Sequence, residues 1–273
     1  MGWYDKLFEA ESFTLENGKT VTQKFTRLPL ILFLLLIGIV VSVWVTGFSI
    51  VTLFENFAGF WKIFGSMFPP KLSYFVQVWR PLLMTIQMSL LGSFFGALLA
   101  LPIAILAASN MTNHRAINLT ARFILTVVRT MPTLVSALIA TYIFGLGTFA
   151  GTVAIFLFSF SFVGKQLFEY IETVDMGAYE ALTATGANSS RAFVTTIFPQ
   201  ILPTYLSTSL FAFEGNVRYA AILGYVGAGG IGMILNEKIG WREFQSVGMI
   251  LLSIFVAVVI IETVSQQLRK HLS

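Results

Sequence analysis

Residues 172–203 read ETVDMGAYEALTATGANSSRAFVTTIFPQILP, a polar interruption between two apolar stretches at residues 149–168 and 201–223. Within it Ala178–Thr185 (AYEALTAT) reads as a short helix, and Gly186 is placed to stop that helix in a left-handed turn. A second short helix is expected over Arg191–Ile197, with Ser189 or Ser190 as its cap and Pro199 as its end. Two short helices of this kind make a knob on a surface, not a pocket.

The flanking stretches identify the solvent. Of 273 residues 56% are hydrophobic, 15% aromatic and only 11% charged, and the mean hydropathy is +0.81. A soluble domain carries about 25% charged residues, so most of this chain is expected to lie in a bilayer. Crossing the hydrocarbon takes about 20 apolar residues. Six stretches qualify: 28–48 (LPLILFLLLIGIVVSVWVTGF), 82–108 with Pro102 near its end, 123–144 with Arg129 and Pro132 in its first half, 149–168, 201–223 with Glu214 and Arg218, and 247–264. The expected fold is an all-α integral membrane protein with about six transmembrane helices. The link from Gly145 to Thr148 can only join antiparallel neighbours.

The first 27 residues are too long and too acidic for the n-region of a signal peptide, so the 28–48 span is expected to stay attached. Residues 3–9 (WYDKLFE) read as an interfacial helix with Trp3, Leu7 and Phe8 toward lipid. Residues 1–27 are thus expected to form a cytoplasmic N-terminal segment and residues 28–273 one membrane domain. With the N-terminus inside, the cytoplasmic loops collect ten Lys and Arg against six outside. By the positive-inside bias both termini and the 172–203 loop are expected in the cytoplasm of a multi-pass cell-membrane protein.

Several chemistries are excluded. Zero cysteines rule out disulfides and thiolate metal sites, and two histidines, His114 and His271, leave little for a metal centre or a Ser-His-Asp triad. A net charge of +4 is too mild and too scattered for nucleic-acid binding. No G-x-x-x-x-G-K-[ST] sequence is present to cradle nucleotide phosphates. No catalytic residue, metal ligand or cofactor site is expected in this chain.

Two further features stand out. GYVGAGGIG at residues 224–232 formally matches a dinucleotide fingerprint at Gly227, Gly229 and Gly232, but neither a strand before it nor an acid about 20 residues beyond it is present. Gly227, Gly229, Gly230 and Gly232 read instead as a backbone that breaks, turns and packs closely. Just upstream, Glu214 and Arg218 lie four apart on one helical face, with Asn216 between them. Ionisable groups within a span are expected to point inward. Two readings stand: a self-neutralising pair that pins two helices, or the lining of a translocation path in which Arg218 offers forked donors to an oxyanion. Arg129 likewise either snorkels to the interface or lines a gate beside a kink at Pro132. Gly92 and Gly96 form a small-residue packing face.

The 172–203 loop resembles the EAA loop of permease subunits of bacterial ABC importers, in which Glu-Ala-Ala, three residues, Gly, nine residues and Ile-x-Leu-Pro recur. Glu180, Ala181, Gly186 and Pro199 fall in register, while Leu182, Thr196 and Phe198 depart from it. The run FEGNVRYAAILGYVGAGGIG (213–232), with RTMPTLV (129–135), resembles the phosphonate transporter permeases of that family. The resemblance implies a type I ABC importer bundle whose loop, through Glu180, Ala181, Gly186, Arg191 and Pro199, couples to cytoplasmic ATPase subunits that bind ATP and magnesium. It also implies a second copy of the chain completing the path, an external binding protein, and a substrate among the phosphonates, phosphite and phosphate. A proton-coupled secondary transporter, with Glu214 carrying protons, is the alternative from a different class; it leaves the EAA spacing unexplained and lacks an internal repeat. For an intramembrane enzyme no catalytic group converges.

Overall fold

A computed structural model describes residues 12–14, 18–22 and 28–270; the expected interfacial helix at residues 3–9 lies outside them. The chain divides into two units, Met1–Lys62 and Ile63–Ser273. In the first, β1 (Ser12–Thr14) and β2 (Thr20–Thr22) pair antiparallel, Phe13 opposite Val21. Helix α1 (Leu28–Thr46) follows, apolar throughout and with no buried residue, as a helix surrounded by lipid would be. Helix α2 (Ile50–Ser66) runs on into the second unit. It was not expected, because Glu55, Asn56 and Lys62 interrupt its apolar run.

The second unit is a helical bundle: α3 (Phe75–Ala107), α4 (Arg115–Thr130), α5 (Thr133–Phe144), α6 (Thr148–Ile171), α7 (Gly177–Ala184), α8 (Ser189–Ala192), α9 (Phe198–Leu223), α10 (Ile231–Gly240) and α11 (Phe244–Lys270). Four helical segments, at Leu28–Thr46, Leu72–Ala107, Thr148–Ile171 and Phe244–Lys270, are long and apolar enough to cross a membrane. The count reaches six when the bent pairs α4–α5 and α8–α9 with α10 are each taken as one span.

At its centre α3 and α6 run side by side in the same direction. A Cβ on Gly92 would meet Ile155 and the Thr152 carbonyl, and one on Gly96 would meet Ser159 and the Phe156 carbonyl. Glycine lets the two backbones touch there, the small-residue packing that membrane helices use in place of a hydrophobic drive. The core on either side is rich in alanine, with Ala100, Ala104 and Ala107 fully buried at one end and Ala137, Ala154, Ala220 and Ala228 at the other.

Two expectations are corrected. The stretch 123–144 is not one helix with a kink. It is α4 and α5, set at 89° to each other. Pro132 has no N–H to donate and its ring pushes the residue before it out of the helical region; Met131 is extended, at φ −78° and ψ 121°. Nor does Pro199 end a helix. A five-residue π turn, Phe193–Ile197, joins α8 to α9, and the Phe198 N–H donates to the Phe193 carbonyl. The wider register of the turn is complete just before Pro199, whose missing N–H falls in the first turn of α9, where it is tolerated.

Candidate functional site

The 172–203 loop is the knob expected from its sequence. Helix α7 ends at Gly186 in a left-handed turn, φ 89°. The Gly186 N–H donates to the Thr183 carbonyl and the Ala187 N–H to the Leu182 carbonyl, the paired bonds that close a helix over a glycine. The next helix is capped by Asn188, not by Ser189 or Ser190: its side chain accepts from the Ser190 N–H at 3.2 Å. Glu180, Ala181, Gly186, Arg191 and Pro199 are all exposed, whereas Leu182 is half-buried and Ala192 and Ile197 are buried. The loop therefore packs Leu182, Ala192 and Ile197 inward and presents the five singled-out residues outward.

The root of the knob is braced. Glu172, which closes α6, accepts from the Ser109 N–H (2.8 Å) and hydroxyl (2.6 Å) and pairs with Arg122. Arg122 in turn donates to the Ala107 carbonyl and lies over the Phe168 ring. Asn110 donates to the Ile171 carbonyl at 2.8 Å. The ends of α3 and α6 are thus locked to the middle of α4 where the loop begins. Burial alone would raise the Glu172 pKa, but the two Ser109 bonds and Arg122 outweigh it and hold the carboxyl below its ordinary value. The brace persists above that value and weakens only as pH falls through the lowered one.

At the opposite end the glycine run forms a tight turn. Gly227, Gly229 and Gly230 have φ of 74°, 82° and 73°, a region that costs other residues about 1–2 kcal/mol each. The Gly147 N–H donates to the Gly227 carbonyl at 2.9 Å and the Ile231 N–H to the Thr85 hydroxyl at 2.7 Å. Gly224 and Gly232 press against each other's backbone, and Gly232 also against the Ala221 carbonyl. The run clamps the α9–α10 turn onto α3 and the α5–α6 link.

Between the two ends lies a polar centre. Glu214 is buried, with 4% of its surface accessible. Its carboxylate pairs with Arg218 on the same helix and, at 3.4 Å, with Arg269 near the end of α11. Two residues on, the Asn216 amide donates to the Ser93 hydroxyl at 2.8 Å and to the Ser159 hydroxyl at 2.7 Å, tying α9 to α3 and α6. Its carbonyl oxygen is buried with no partner among the described residues. Arg218 differs: half of its side chain is exposed, on a face of α9 shared with the exposed Phe211 and Ile222.

The family described as "Binding-protein-dependent transport system inner membrane component" matches residues 100–273, from the end of α3 to the C-terminus. The chain belongs to that family. Within it the chain groups with the permeases of phosphonate and phosphite ABC importers. It is 32% identical over 234 residues to the phosphite transport system permease protein PtxC of Stutzerimonas stutzeri, covering 85% of each chain. It is 35% identical over 211 residues to the phosphate-import permease protein PhnE of Mycolicibacterium smegmatis, matching 77% of this chain but only 40% of that longer one. Among solved structures the fold is similar to a chain of the inward-facing MetNI methionine ABC transporter, with a TM-score of 0.63 and 21% identity over 72% of this chain and 96% of that one.

In this ABC importer permease the sequence-derived site residues fall in three places, not one. Glu180, Ala181, Gly186, Arg191 and Pro199 share the knob; Glu214, Asn216 and Arg218 share the polar centre; the glycines share the far turn. Arg129 joins none of them. It stands exposed in the last turn of α4, beside the break at Pro132. Sequence reasoning missed Ser93 and Ser159, whose hydroxyls belong to the same small-residue faces as Gly92 and Gly96. It also missed Arg269, counted there only among the ten cytoplasmic Lys and Arg.

Proposed function

We propose that this permease subunit carries a small phosphorus oxyanion, of the phosphonate, phosphite or phosphate class, across the cell membrane. The cycle is driven by ATP hydrolysis in two cytoplasmic partner subunits and fed by an external binding protein. The observation that carries this reading is the knob at residues 172–203, which presents Glu180, Ala181, Gly186, Arg191 and Pro199 outward from a braced root. A rigid, exposed two-helix projection is what a second protein needs in order to push on a bundle. Closure of the ATPase pair would move the knob, and the Glu172 brace would pass that movement to α3, α4 and α6. The bundle would then alternate between two access states. In this reading the loop and both termini are cytoplasmic.

A second copy completes the path. Arg218 stands half-exposed among apolar side chains, and a charge left facing lipid costs roughly 2.5–3.5 kcal/mol on insertion scales. A second chain over this face of α9, related by a two-fold axis, would enclose Arg218 in a wet channel. The substrate class is supported by the relatives named for phosphite and phosphate, and a forked guanidinium suits a tetrahedral oxyanion.

Arg218→Ala tests the path. In proteoliposomes holding the assembled transporter, phosphite uptake is expected to fall about tenfold or more, since a charge-assisted bond contributes roughly 1.5–3 kcal/mol. Recovery of the ATPase subunits with the membrane protein is expected to stay unchanged. Uptake at the wild-type rate would remove Arg218 from the path.

A further inference from the structure

The polar centre holds one more positive charge than negative. Glu214 is a single buried carboxylate, yet two guanidiniums from two different helices converge on it. The two contacts differ in kind. Arg218 is four residues from Glu214 on α9, so their pairing follows from helix geometry alone. Arg269 comes from the last turn of α11. Its side chain is three-quarters buried, and it reaches Glu214 at 3.4 Å, longer than the usual 2.7–2.9 Å of such a bond. A guanidinium carries five donors, so Glu214 leaves most of those on both arginines unused.

Burying a second arginine is costly in a membrane helix, and neutralising Glu214 needs only one. The excess charge therefore calls for an anion beyond Glu214. Access for one exists at Arg218, half of whose side chain is exposed.

Building on the oxyanion reading above, we propose that Arg218 and Arg269 form a two-guanidinium anion site in which Glu214 stands in for the substrate. Arg269 is the partner that leaves Glu214 for a tetrahedral oxyanion. Arg218 stays with Glu214, so the carboxylate is never buried alone, an arrangement that would be strongly unfavourable. Exchange of Arg269 from carboxylate to oxyanion ties the end of α11 to the presence of substrate. Glu214 thereby also acts as an internal competitor that keeps affinity low enough for release.

Equilibrium binding of radiolabelled inorganic phosphate to the assembled transporter, with no binding protein present, tests this. Glu214→Gln removes the competitor and is expected to bind phosphate about tenfold tighter than wild type, a change of about 1.4 kcal/mol. Arg269→Ala is expected to bind about tenfold more weakly, and Arg269→Lys, which keeps the charge and loses the fork, to fall between. Should Arg269→Ala fail to assemble, Glu214→Gln and Arg269→Lys carry the test by themselves. Wild-type phosphate affinity in both of those variants would overturn the anion site while leaving the importer reading intact, provided phosphite uptake continues. Failure of the wild-type transporter to bind or carry either oxyanion would overturn the substrate class and this site together.

Discussion

Gly186→Glu is expected to leave the bundle folded while cutting ATP-driven uptake about tenfold or more, because it places an unpaired carboxylate in the proposed ATPase contact. The position separates the two effects well. A Cβ at Gly186 would meet nothing within 4 Å, so the substitution causes no clash. Its conformational cost is about 1–2 kcal/mol for an L residue held at positive φ. Gly186→Asn is the matched control. Asparagine tolerates the left-handed turn and adds no charge, so it should retain most coupling. Substrate-stimulated ATPase activity, measured beside uptake, reports the loss directly. Normal stimulation in Gly186→Glu would remove the knob from the coupling path.

Gly232→Val is expected to be more severe and of a different kind. A Cβ there would be forced into the Ala221 carbonyl and the Gly224 backbone, and neither can move without unwinding the end of α9. Overpacking of a tight contact costs typically about 1–3 kcal/mol, and here the obstacle is backbone. The variant is expected to lose the turn that holds α10 against Thr85, and with it thermal stability and recovery of assembled transporter. Gly240→Ala, where a Cβ meets nothing within 4 Å, should behave as wild type. The thermal midpoint of the purified membrane protein distinguishes the two, and an unshifted midpoint in Gly232→Val would show that the glycine contact is dispensable.

The legible part of this fold was the part governed by local rules. Apolar length alone located α1, α6 and α11, and the single glycine at residue 186 marked a helix stop that the structure closes with two carbonyl bonds. The glycine run at 224–232 was readable as a close-packed turn because so many residues without Cβ have few other uses within a membrane protein. What escaped depended on neighbours distant in sequence. Pro132 was read as a kink within one span because Arg115, Asn118 and Arg122 disguise the first turns of α4 as a loop. In the structure two of those side chains are occupied with the end of α3, where Asn118 and Arg122 both donate to the Ala107 carbonyl. Pro199 was read as a helix end because a π turn, which absorbs its missing bond, leaves no mark in composition. Arg269 counted only as one more cytoplasmic cation, and only the packing of α11 against α9 brings it to Glu214.

The central claim is that this permease moves an oxyanion with the energy of ATP hydrolysed in partner subunits. Its most direct test is phosphite uptake into proteoliposomes, with ATP and the proton gradient supplied independently. Uptake that requires the ATPase subunits, internal ATP and the external binding protein, and that continues when the gradient is collapsed, is the predicted result. Uptake that persists without the ATPase and stops when the gradient is collapsed would contradict the account and assign Glu214 to proton-coupled transport.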